Sequence, residues 1–263
     1  MLSSIARGVT ARNYFRGMWT SETEPEPKIK QALALLADTF KLAEETANAC
    51  FVDQTDLRGL AAMFLARTRQ SLQSVGLLAS NGLIGDAMTV GRTVVEMAID
   101  FSYIALQPAD RIKMFMDYDH VSKFKLATAV DTLHGGKVSP ATMSVLRQRR
   151  DKATQDNPDA VMNWAGESIK KRAKDSGQER TYDLVYADMC MASHSCYATL
   201  EYALVDLDTS PKVRFGPGKA SSRPMALVGG AMLILIAKAV DACGLDKALG
   251  VRSNEIADRL QSL

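Results

Sequence analysis

Residues 91–103 read GRTVVEMAIDFSY, and this stretch decides how the rest of the chain is read. Val94, Val95, Met97, Ile99 and Phe101 place apolar groups around most of a helical circumference, the pattern of a buried helix. Arg92, Glu96 and Asp100 recur every four residues, so they share one side, with Tyr103 close to the same stripe. If that stripe faces inward it must find partners, because an unpaired buried charge costs several kcal/mol, on the order of 3–5. If it faces water it is an ordinary helical ion pair worth about 0.3–0.5 kcal/mol. Spacing leaves both open, and burial decides.

Outward from this segment the helical period dominates, and alternating strand patterns are nearly absent. The third helix spans 83–106 and stops before Pro108. The second begins at Thr55-Asp56, good cap residues, and ends at Asn81-Gly82, a left-handed terminus. A first helix covers 27–49, after an acidic, proline-bearing linker. A fourth runs from Ala109 to His134-Gly135-Gly136, and Ser139-Pro140 opens a shorter fifth. A polar stretch over 151–158 leads to a helix carrying Trp164 and Ile169 and ending in Lys170-Lys171-Arg172, read as a solvated face. A long helix over 181–206, an irregular segment over 208–222, an apolar helix over 224–240 and a short C-terminal helix complete the chain. The expected fold is all-α, an antiparallel helical bundle with peripheral helices. Residues 1–26 form an arm and linker, and 27–263 a single helical domain.

The chain has 263 residues, 47% of them hydrophobic and 24% charged, enough for a sizeable core without disulfides or metals. Its 32 Lys and Arg against 30 Asp and Glu leave a net charge of +2. That balance gives no whole-protein field for nucleic acid or anionic lipid, and only a local basic patch remains open. Cys50, Cys190, Cys196 and Cys243 are scattered and apolar in context, so they read as reduced core residues of a cytoplasmic protein. The first twenty residues carry Arg7, Arg12 and Arg16 and no acid, which suits a mitochondrial presequence or, preferably, an amphipathic arm. The apolar stretch 224–240 falls short of the roughly 20 residues of a bilayer span, and no membrane span is expected.

Chemistry concentrates in few places. An inward Arg92–Glu96 pair supplies a rigid fork of donors and a carboxylate of adjustable pKa. His194, bracketed by Ser193 and Ser195, has an imidazole suited to proton transfer near neutrality, or to a structural hydrogen bond. Asp117-x-x-His120 and Asp131-x-x-His134 have the spacing that di-metal bundles use, but no Glu-x-x-His accompanies them. Neither a metal nor another cofactor is expected. Phosphate loops, dinucleotide fingerprints and Gly-x-Ser-x-Gly elbows are missing.

The segments RTVVE, NWAGESIK, YDLVY and SHS, in that order, resemble a bacterial helical family known as domain of unknown function 5677, over roughly residues 57–207. The resemblance implies an all-helical fold and a shared site, with Arg92, Glu96, Trp164, Tyr186 and His194 at matching positions. That family is similar in turn to HEPN domains, helical modules that often cut RNA with an arginine shortly before a histidine. Here Ala187-Asp188-Met189, ahead of His194, contains no arginine, which counts against nuclease chemistry.

The leading functional expectation is an internal polar pocket that binds, and by extension transforms, a small molecule. Arg92 holds an anionic group, Glu96 orients or accepts a proton, and His194 serves as acid or base. Tyr118, Trp164 and Tyr186 shape the pocket. Alternatives are a HEPN-like, RNA-directed toxin or defence protein of hydrolase type, and a non-catalytic interaction module that homodimerises through the helix at 225–240.

Overall fold

A computed structural model of the chain describes residues 25–50, 56–158, 163–193, 204–205, 212–213 and 218–263. Helix α1 (Glu26–Cys50) buries Ile29, Leu35, Leu36 and Leu42. Helix α2 (Leu57–Ser80) starts where Asp56 accepts a hydrogen bond from the Gly59 amide at 2.6 Å, the side-chain cap its sequence offers. It ends at Gly82, whose φ of +75° is a left-handed conformation that a side chain resists. A Cβ there would also lie 2.1 Å from the Gly218 carbonyl oxygen, so this turn seats the segment leading into α8.

Helix α3 (Ile84–Ile104) lies at the centre of the core, with Val94, Val95, Ile99, Phe101 and Ile104 buried. It packs against α2, α6 (Ile169–Asp175), α7 (Ala187–Ser193) and α8 (Arg223–Ala242). Helix α8 has the 20-residue length of a bilayer span, slightly longer than its apolar sequence stretch. It is nonetheless a core helix, with Val228, Met232, Leu235 and Ile236 buried against α1, α2, α3 and α9 (Lys247–Gln261). Most of the apolar residues of this helix are thus used by the chain's own core. Cys50 and Cys243 are buried and Cys190 half-buried, as free thiols. Cys196 and the N-terminal arm lie outside the described residues.

Helices α4 (Pro108–His134) and α5 (Pro140–Asp156) form a hairpin closed by Gly135 at φ +62° and by the Ser139 cap on the Thr142 amide. They pack mainly on each other, through Val121, Ala153 and Tyr118, and α4 touches α2 and α3 only lightly.

Three readings of the sequence need correction. Trp164 precedes α6 in a turn instead of riding on the helix, because Ser168 caps the Lys171 amide and starts the helix at Ile169. The basic run lies inside α6, and only Lys170 and Lys171 face water, whereas Arg172 is 4% exposed. The long helix expected over 181–206 is interrupted: after a single turn at Glu179–Thr181 comes a π-helical segment, Tyr182–Tyr186, before α7. Leu204–Val205 and Lys212–Val213 pair as a short antiparallel ribbon, which ends that helix before Leu204.

Candidate functional site

The stripe on α3 turns inward along its C-terminal half and becomes a ladder of polar contacts. At one end Arg92 donates from Nε and Nη2 to the Tyr186 hydroxyl oxygen at 3.2 and 3.1 Å, and its guanidinium lies 5.2 Å from the ring centroid. Tyr186 closes the π-helical segment, and Tyr182 stacks on it at 5.2 Å. A π turn shifts the register by one residue. Burial and the nearby Glu96 charge push the Tyr186 phenol up to about 12, and its hydrogen bond holds the Arg92 guanidinium above its usual value.

At the other end Asp100 is 8% exposed. Arg172 donates from Nε to Asp100 Oδ1 at 2.7 Å, and Trp164 Nε1 donates to Oδ2 at 3.3 Å. Arg172 Nη1 also binds the Glu167 carbonyl at 2.7 Å, and its guanidinium lies 5.4 Å from the Trp164 ring centroid. Trp164 is wedged edge-on between Tyr103 and Phe115. Burial raises the Asp100 carboxyl to about 6, outweighing the lowering by Arg172, with Glu96 adding to the rise. Geometry alone suggests a depressed value for so close an ion pair. Desolvation prevails because the carboxylate has lost nearly all contact with water.

Glu96 stands between the two clusters, half-buried, with its charge felt by Arg92, Tyr186 and Asp100. It makes no hydrogen bond or ion pair with any described residue. Together with Asp100 and Thr93 it lines an open depression of about 270 Å³ walled by Phe64, Met97 and Phe115, with Arg67 on its rim. Tyr118 is not among the lining residues and lies on α4 beside Val121 and Ala153. His194 lies outside the described residues.

Two participants escaped the sequence. Arg172 was hidden in a basic run, although the need of a buried Asp100 for a cation was a usable signal. Asp188, read only as a position lacking arginine, is buried on α7 and accepts from Arg223 Nη2 at 2.7 Å. Burial raises its carboxyl, with Arg223 acting against the rise. Neither Asp-x-x-His motif assembles a metal site: Asp117 binds Lys113, and Asp131 accepts from the Val138 amide. Among the described residues no three His, Cys, Asp or Glu side chains converge on one point.

These features define a predominantly helical protein whose central helix carries three ionisable groups beside an open depression: the buried Asp100 paired with Arg172, the half-buried Arg92 held by Tyr186, and the half-buried Glu96 between them. The model of a family of unknown function, DUF5677, matches residues 59–211, more than half of the chain, and the protein belongs to that family. The matched region includes Arg92, Glu96, Asp100, Trp164, Arg172 and Tyr186 and leaves out α1, α8 and α9. No curated protein and no solved structure matches the chain.

Proposed function

We propose that the depression over Glu96 binds a small molecule through an amino or other cationic hydrogen-bond donor, and that Asp100 exchanges protons with what is bound. The observation that carries this reading is the position of Glu96. Its neighbours Arg92 and Asp100 are held by Tyr186 and by Arg172 and Trp164, whereas the Glu96 carboxylate faces the depression without a described partner. Aromatic walls from Phe64 and Phe115 favour a cation at such a place by offering negative ring faces. A carboxyl poised near 6 has the proton affinity a general acid or base needs at neutral pH.

The test is a thermal-shift screen of the purified protein with small amines, amino acids and carboxylates. At least one amine-bearing class is expected to raise the melting temperature of the wild type and to leave Glu96→Gln unchanged. Equal responses from both proteins, or stabilisation by carboxylates alone, would remove Glu96 from the ligand site. The RNA-directed reading has no comparable observation behind it.

A further inference from the structure

The part of the α4–α5 hairpin nearest its turn carries a charge unlike that of the rest of the chain. Residues 122–152 hold seven Lys and Arg against Asp131 and Asp151, a surplus of five positive charges. The whole chain is +2, so the remainder is left at −3. Lys137, Arg147 and Arg149 are exposed and form no ion pair among the described residues.

The same hairpin displays an apolar ridge. Leu126, Val130 and Leu133 are spaced four and three apart and therefore share one side of α4. That side points away from α5, because Val121 packs on Ala153 and Phe124 lies under the Arg150 guanidinium at 4.3 Å. Leu126 is 66% exposed and Leu133 79%, the latter one residue before the C-terminal end of α4. Lys123 and Lys125 flank Leu126 along the helix.

We propose that this hairpin is a docking arm for an acidic phospholipid surface, with Leu126 and Leu133 dipping into the acyl boundary while the surrounding Lys and Arg meet headgroup phosphates. Exposed leucines framed by cations are what an interfacial helix needs, since each element supplies only part of the binding. Long basic side chains also let their stems lie along the apolar layer while the charges stay with the phosphates. A nucleic-acid backbone would use the cations and leave both leucines without a role, and Phe124, already covered, is not free to stack on a base. Two copies joined ridge to ridge would bring together two arms of the same strong charge. This inference is independent of the Glu96 depression.

The experiment uses the full chain in sedimentation with vesicles of phosphatidylcholine alone and of equal parts phosphatidylcholine and phosphatidylglycerol. Binding is expected only to the acidic vesicles. Leu126→Gln/Leu133→Gln, which leaves the charge unchanged, and Arg147→Gln/Arg149→Gln are each expected to weaken it by roughly tenfold or more. These four side chains are exposed, and circular dichroism of both variants checks that the helices persist. The proposal is overturned if acidic vesicles are not bound, or if the leucine pair makes no difference to binding. It also fails if duplex nucleic acid is bound more tightly than vesicles and only the arginine pair matters. A dimer that the leucine variant converts to monomer on gel filtration, without vesicle binding by the wild type, would assign the ridge to a second copy instead.

Discussion

Arg172 and Asp100, 72 residues apart in sequence, meet at 2.7 Å inside the protein and are both nearly inaccessible to water. This pair fastens α6 to the central helix. Its removal from one side leaves an uncompensated charge in a poorly hydrated place, which is far more costly than losing a surface ion pair. Arg172→Met is therefore expected to lower the unfolding free energy in urea by about 3–5 kcal/mol. Lys170→Ala and Lys171→Ala, on the wet side of the same helix, are expected to change it by no more than about 0.5 kcal/mol. Equal effects from the three would show that Arg172 is not the buried member of the run.

Asp100 gives stability a distinctive pH dependence. Its carboxyl is raised from an ordinary 3.8 to about 6, so between those values the folded protein binds more protons than the unfolded chain. Stability contributed by this group is then fully present below about 4 and declines as the pH rises through about 6. Asp100→Asn cannot titrate, so the wild-type unfolding free energy minus that of the variant should fall across this interval. Denaturant titrations at several pH values measure the difference, and a rise would reverse the assigned sign.

The phenol of Tyr186 should titrate well above the ordinary tyrosine value, near 12. Ultraviolet titration of Tyr186→Phe is expected to lack the phenolate formation that the wild type shows near that pH. The substitution also withdraws the acceptor from two Arg92 donors, at a cost of about 1–3 kcal/mol in urea unfolding. An unchanged alkaline curve would place the raised phenol elsewhere.

Close approach of α8 and α7 to α3 depends on Gly91. A Cβ there would fall 2.5 Å from Val228 Cγ2 and 3.3 Å from Met189 Cε, so Gly91→Ala forces core side chains apart. A loss of about 1–3 kcal/mol in thermal or chemical unfolding is expected. Gly85→Ala, with nothing within 4 Å, should be neutral or stabilising by up to about 1 kcal/mol.

Much of this architecture was legible because helix ends carry local chemistry. Asp56, Gly82, Gly135 and Ser139 each mark a terminus through the caps and left-handed turns that their side chains, or lack of one, permit. The polar stripe was legible as spacing, but whether it faced inward or toward water was left open, and the structure buries only Asp100 of the three. Its partners were less accessible. Arg172 looks like its neighbours Lys170 and Lys171 in sequence, and only the position of α6 against α3 distinguishes it. The interruption at Tyr182–Tyr186 was likewise hidden, since a π turn keeps helical composition and merely adds a residue to the register. The leucines of α4 follow an ordinary amphipathic pattern, and only the tertiary structure reveals that no described element covers them.

Placing α8 at the heart of the molecule has a consequence for synthesis. The ribosome delivers α2 and α3 long before Arg223–Ala242, so their apolar flanks stay uncovered while the intervening helices are translated. A truncated product ending near residue 211 would keep those sticky surfaces permanently, inviting chaperone capture or precipitation. Completion of the polypeptide, and not of its most recognisable segment, is what closes the hydrophobic interior.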